Sequence, residues 1–229
     1  MDTRHLSTLL HLVDSTLPIG GFSHSNGLET YVQSGQVRDG ASARDFVRSM
    51  LTNNIKYNDA AFVRLCYEAT AQDDVGEIIR LDEECTAIKC AREMREASIK
   101  LGLRLHKIFS RQTEQRTARA YARAIFEHRI AGHYCIAFGL YAYLLRIPLE
   151  EALLGFYYNA AVGMVTNSVK LIPLGQFEGQ NILFELDPLL QQLVNETLAL
   201  NRAMVGVCAI GFDIHCMRHE QLYSRIYMS

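Results

Sequence analysis

Three places in this chain carry residue types that could do chemistry. The first is Gly21-Phe22-Ser23-His24-Ser25. A serine nucleophile held on a sharp turn sits in Gly-x-Ser-x-Gly, between a strand and a helix. Here His24-Ser25 stand where the second glycine belongs, and no strand-like segment precedes them. Ser23 or Ser25 therefore reads as a hydroxyl cap for the helix that follows, after a Gly20-Gly21 hinge. The second place is His215 and His219, one helical turn apart, with Cys216 between them. Two imidazoles at i,i+4 can form one edge of a metal site. This is not His-Glu-x-x-His, and spacing fixes no third ligand, so the pair is a minor candidate and no bound metal is expected.

The third place is the segment 89–129, with eleven Lys/Arg against four Asp/Glu. Arg92, Arg95, Lys100, Arg104, Lys107, Arg111, Arg116, Arg119 and Arg123 recur every three to five residues, so part of one helical side is basic. A basic helical RNA-binding module is the alternative function this cluster suggests. It lacks the interleaved aromatics of single-strand binders and any recognised DNA-binding motif. Glu93 and Glu96 lace it, which suits a solvated face or the docking of an acidic protein. With a net charge of −2 overall, no nucleic-acid partner is expected. Gly-x-x-x-x-Gly-Lys-[Ser/Thr] and a dinucleotide fingerprint are missing from the sequence, and no close carboxylate pair stands out from surface charge. The reading is an interaction protein, not an enzyme, with no firmly bound cofactor.

The elements that would position these residues are helical. No stretch shows sustained period-2 alternation rich in Val, Ile and Thr, and the four prolines fall where periodic segments begin or end. The expectation is an all-α, single-domain bundle over 1–229, with a partner-binding tail at 213–229. Its centre is placed at 152–169, ALLGFYYNAAVGMVTNSV, a run without charge. Pro148 followed by Glu150-Glu151 starts that helix; Lys170, Pro173 and Gly175 end it. Apolar residues all round imply burial on all sides. A membrane span is the rival reading, but Asn159, Thr166, Asn167 and Ser168 are too polar for it and no basic flank is present. The six cysteines form no CxxC pair and read as buried hydrophobes in a reducing cytosol. The segment 1–15 has Asp2 and Asp14 around too short an apolar patch for a signal peptide, so a cytoplasmic location is expected.

Around that centre, Leu6, Leu9, Leu10 and Val13 form one face of a first helix. Ser42 with Asp45 opens a long helix carrying Phe46, Leu51, Ile55, Phe62 and Leu65; Asp73-Asp74 opens the next. The second uncharged run, 130–145, forms a hairpin with the central helix, and His133 on it reads as a hydrogen-bonded core residue. Gly132, Gly139, Gly155 and Gly163 on this hairpin permit close backbone approach, including an isologous dimer contact. Asp187-Pro188 restarts a helix running toward Gly211. Leu222, Tyr223, Ile226, Tyr227 and Met228 are too apolar for a chain end left in water, so the tail is tied down by its own core or by another protein.

Three stretches, in this order, resemble the urease accessory protein F family: 17–30 (LPIGGFSHSNGLET), 169–180 (VKLIPLGQFEGQ) and 217–229 (MRHEQLYSRIYMS). Arg92-Glu-Met-Arg-Glu-Ala-Ser98 is similar to that family's middle signature, and the likeness spans nearly the whole chain. The resemblance implies an all-α homodimer with a non-enzymatic role in urease maturation, when nickel and carbon dioxide are built into the active site. It implies a complex with the D (or H) accessory protein and the GTPase accessory protein G, acting on apo-urease, with nickel and GTP handled by those partners. By position, Lys170, Gln176 and Gln180 fall on the GTPase side. Met217, Arg218, His219, Leu222, Tyr223, Arg225 and Tyr227 fall on the D/H side. Gly20, Gly21, His24 and Glu29 match the first motif. Ile226-Tyr227 and Phe177-Glu178 are conservative departures that concern fine specificity.

Overall fold

The computed structural model describes residues 4–21, 24–25 and 27–228, and every regular element among them is helical. No helix among these residues is long and apolar enough to cross a membrane. Helix α1 (Arg4–Leu12) buries Leu9 and Leu12, while Leu6 and Leu10 face outward. The expected single leucine face is thus split: Leu9 and Val13 take the packing side, and the other flank of the helix is left to solvent. Helix α2 (Leu28–Gln33) starts after Gly27, whose φ of 78° needs a residue without a Cβ, and it ends before Gly35 at φ 73°. The N-cap position is Gly27 rather than a serine; Ser23 lies outside the described residues.

Helix α3 (Gly40–Met50) opens with Asp39 as N-cap and Ser42 as its reciprocal partner, so the capping box sits three residues earlier than the sequence suggests. A π-helical turn, Leu51–Ile55, prolongs it, and α4 (Asp59–Ala71) begins afresh after Asn58. The expected single long helix is therefore two. Asp74 accepts from the Glu77 N–H and opens α5 (Val75–Ile88) as expected. Then follow α6 (Arg92–Phe109), α7 (Arg116–Phe126), α8 (Tyr134–Leu144), α9 (Leu149–Leu171), α10 (Gln176–Leu198) and α11 (Ile210–His219). Helix α10 corrects the expected restart at Asp187: it begins at Gln176, passes straight through Pro188 and stops at Leu198, well short of Gly211. The proline sits on an exposed side, with Phe184 four residues before it, where the backbone bond it removes falls toward solvent.

Helix α8, not α9, is the most enclosed element. All of it except Tyr134 and Tyr143 is buried. A Cβ on Gly139 would collide with the Val63 carbonyl, which brings α8 against α4 at backbone distance. The rings of Tyr134 and Phe138 meet Phe156 of α9 with centroids 5.8 and 5.0 Å apart. Helix α9 buries Leu153, Phe156, Tyr157, Met164 and Val165, yet Tyr158 is 50% exposed and Thr166 is exposed too. The charge-free run is therefore not buried on all sides; lack of charge did not require burial where Tyr158 and Thr166 supply polar groups to the open face, while Asn159 donates to the Val13 carbonyl at 2.8 Å. The hairpin glycines serve intramolecular approach: Gly139 lies against Val63, Gly155 against Leu9 and Val13, Gly132 against Leu103. A Cβ on Gly163 would meet nothing within 4 Å among the described residues.

The start of α8 is held by a buried acid. Asp82 of α5, with no exposed surface, accepts from the N–H groups of Ala131 (2.7 Å), Gly132 (3.0 Å) and His133 (2.9 Å). Its charge also suits the positive end of the helix. His133 is the hydrogen-bonded core histidine expected: its ring nitrogens lie 2.9 Å from Thr86 Oγ1 and 3.1 Å from Ser98 Oγ.

Candidate functional site: a latched C-terminal face

Stretches 126 to 198 residues apart in sequence meet around one histidine. His219, in the last turn of α11, is 1% exposed. Its Nε2 lies 3.2 Å from Glu29 Oε2 and its Nδ1 lies 2.7 Å from Glu93 Oε2. Glu29 belongs to the first motif, on α2; Glu93 belongs to the middle signature, in the first turn of α6. Each carboxylate reaches further. Glu29 accepts from the backbone N–H groups of Ile226 (2.8 Å) and Tyr227 (3.2 Å). Glu93 accepts from Arg225 Nη1 at 2.7 Å. Arg92 pairs with Glu220 at 2.8 Å, and Gln33 donates to the Ser224 carbonyl at 3.2 Å. The tail is therefore tied down by the chain's own core, one of the two fates its composition left open.

The local sequence explains why the parts meet here. Gly27 of the first motif lets α11 approach: a Cβ there would press on Cys216 Sγ and the Phe212 ring. Burial pushes the Cys216 thiol up, so it packs as a neutral hydrophobe. The Tyr227 side chain is buried, and burial first, then the Glu29 charge, raises its phenol. His215 is drawn elsewhere: its ring stacks on Tyr31 at 4.0 Å, its Nδ1 faces the Gly211 carbonyl at 2.8 Å and its Nε2 faces Gln36 at 3.3 Å. The two imidazoles thus do not converge on a common ligand, and among the described residues no group of three or more His, Cys, Asp or Glu is placed to hold a metal.

What the latch leaves outside is apolar. Ile210, Ile214 and Met217 recur at i, i+4 and i+7 along α11, and all three are exposed. Tyr223 projects fully, Ile226 is 74% exposed and Met228 is 59% exposed. An ordered backbone that displays such side chains is suited to a partner: ordering costs are already met and the groups most often found at binding hot spots are free. Of the residues placed on this side, Met217, Arg218, Tyr223 and Arg225 are exposed, Leu222 is half-buried, and His219 and Tyr227 face inward as anchors. Glu93, Arg92 and Gln33 belong to the site as well. Sequence reasoning put Arg92 and Glu93 in the basic cluster and the middle signature but tied none of the three to the tail, since nothing in their spacing points to a segment more than a hundred residues away.

Removing the Glu29 carboxylate should free the tail. In Glu29→Ala, two backbone donors and one imidazole lose their acceptor, a local cost of about 2–4 kcal/mol. Hydrogen exchange should show the Ile226 and Tyr227 amides exchanging at least about 30-fold faster, with the helical circular dichroism unchanged. Unchanged protection would mean that other contacts hold the tail.

The remaining first-motif residues link the tail face to α6 and α9. Arg104 donates to the Ile19 carbonyl at 2.8 Å beside Gly20, whose φ is 85°. Gly21 is exposed, and the buried His24 offers its carbonyl to Asn167 Nδ2 at 2.8 Å. Burial, and then the charges of Lys100 and Arg104, hold the His24 imidazole below its ordinary range. Lys170 lies at the C-terminal end of α9 and Gln176 and Gln180 in the first turns of α10; all three are exposed, beside Phe177 at 89% exposure. Several cations of the segment 89–129 are held by acids or carbonyls. Lys89, half-buried, pairs with Asp59 at 2.8 Å, Arg95 donates to the Lys89 carbonyl, and Arg123 and Arg129 both pair with Glu127.

Comparison with known proteins places these stretches in a family. Residues 37–187 match the family model UreF. The urease accessory protein UreF of Actinobacillus pleuropneumoniae serotype 3 (strain JL03) is 48% identical over 224 residues, which cover 98% of this chain and 99% of that one. The protein of the same name from Haemophilus influenzae strain Rd is 46% identical, covering 98% of this chain and 95% of the relative. That from Lachnoclostridium phytofermentans is 34% identical, with 98% and 99% covered. Glu29 and the tail lie outside the family match, whereas the relatives match over 98% of this chain.

Proposed function

We propose, since this chain belongs to the UreF family of urease accessory proteins, that it is a non-enzymatic adaptor in urease maturation. In this reading it binds the D/H accessory protein through the latched tail face. It binds the GTPase accessory protein G through the side carrying Lys170, Gln176 and Gln180. The assembly acts on apo-urease, and nickel is its cargo. A chain without a phosphate loop still biases a GTPase if it binds one nucleotide state better than the other. The protein works as a homodimer in the cytoplasm; the open side of α9, where Tyr158 is half exposed and Thr166 follows two turns later, supplies an isologous contact.

The observation that carries the reading is the tail itself: residues 224–227 are bonded to Glu29, Glu93 and Gln33, while Tyr223, Ile226 and Met228 point outward. The GTPase side has its own test. Lys170 is exposed, so Lys170→Ala removes a surface charge without disturbing the core. Capture of the GTPase should fall by about fivefold to tenfold, with stronger loss at low salt, and the helical signal should stay constant. Undiminished capture together with normal urease activation would count against this side as the docking surface.

A further inference from the structure

Two cysteines outside the tail face lie side by side in the core. Cys85 of α5 and Cys135 of α8 are 50 residues apart in sequence, fully buried, and their sulfurs are 3.6 Å apart. That is a contact of two reduced sulfurs, and about 1.5 Å of approach separates it from a disulfide. The surroundings are uneven. Lys89, one turn along α5 from Cys85, has its ammonium 2.8 Å from Asp59. The hydrogen bond from Cys135, with help from Lys89 and His133, draws the Cys85 thiol below its ordinary range. Burial, and then the neighbouring Cys85, push the Cys135 thiol well up. By contrast, burial takes the solitary Cys66 thiol up to about 12. A cavity of about 330 Å³ has Asp59, Lys89, Ser98 and Tyr134 in its wall but neither cysteine. Lys89 follows Cys85 by four residues, and Tyr134 directly precedes Cys135.

We propose that Cys85 and Cys135 form a reversible dithiol–disulfide site that reacts with hydrogen peroxide, Cys85 attacking and Cys135 resolving. The steps balance as follows. The Cys85 thiolate attacks one peroxide oxygen and the O–O bond breaks, giving a sulfenic acid and hydroxide, which takes the Cys135 proton and leaves as water. The Cys135 thiolate then attacks the Cys85 sulfur, the S–O bond breaks, and the second hydroxide leaves as water with the proton Cys85 first released. Each sulfur loses one electron and the peroxide gains two. An external dithiol reverses the change by exchange. The new bond joins α5 to α8 beside the Asp82 anchor.

The experiment uses the full chain, reduced and then exposed to hydrogen peroxide, with residual thiols alkylated in denaturant and the protein digested without reductant. The expected result is the loss of the alkyl groups from Cys85 and Cys135 relative to an unexposed control and a linked peptide pair containing both, each reversed by dithiothreitol. A Cys90→Ser/Cys208→Ser variant, which removes the two exposed cysteines, should form the link equally. Alkylatable Cys85 and Cys135 after the exposed thiols have been oxidised, or a sulfinic acid on Cys85 with no link, would overturn the proposal. Because the main readout is made on the unsubstituted protein, it does not depend on a variant folding.

Discussion

Deleting residues 217–229 is expected to abolish capture of the D/H accessory protein, a loss of at least about 100-fold in affinity, or roughly 2.7 kcal/mol. The deletion removes Met217, Tyr223, Ile226 and Met228, which the fold displays to solvent, and also His219 and Tyr227, which anchor them. Exposed aromatic and aliphatic side chains on an already ordered backbone are where binding energy concentrates, because little further ordering is lost on association. The helices that form the core, α4, α8 and α9, do not depend on this segment, so the circular dichroism should remain that of a helical protein. Pull-down with purified D/H protein reads the result. Full capture by the truncated chain would remove the tail from the interface.

The second large effect is on stability. Asp82→Ala should cost about 3–5 kcal/mol, a third or more of the stability ordinary for a domain. Three N–H groups, those of Ala131, Gly132 and His133, converge on this carboxylate, and Gly132 and His133 are buried. Alanine would leave them without an acceptor at the start of the most enclosed helix. The segment lies tight against α6, where a Cβ on Gly102 would overlap the 132–134 backbone. Thermal unfolding should show a fall of about 10 °C or more in the midpoint. A fall of under about 3 °C would mean that the start of α8 is held by Ser98 and Thr86 rather than by the acid. Asp82→Asn keeps one acceptor and should lie between the two.

The helical class was legible because absence of period-2 alternation and the placement of Gly and Pro are local properties. So were the caps at Asp74 and the stop after Lys170. The errors are instructive in the same terms. Lack of charge over 152–169 marked a helix but not its degree of burial, since Tyr158 and Thr166 satisfy water without bearing charge. Pro188 looked like a helix start, but a long helix tolerates it where the lost bond faces outward. Leu6 and Leu10 looked like core, yet the packing side of α1 holds Leu9 and Leu12. The latch lay beyond sequence reasoning altogether. Glu29, Glu93 and His219 come from three separate stretches, and pairing across 126 and 190 residues leaves no local pattern. The resemblance supplied the motifs in order but not the contacts that join them.

The most direct test is a titration of the D/H accessory protein into the full chain and into a Tyr223→Ala/Ile226→Ala variant. Both side chains point outward, and the Ile226 N–H bond to Glu29 is a backbone contact that alanine keeps. The expected result is a Kd raised by at least about tenfold, with the Ile226 and Tyr227 amides still protected from exchange. An unchanged Kd with the tail still latched would contradict the claim that this face holds the partner.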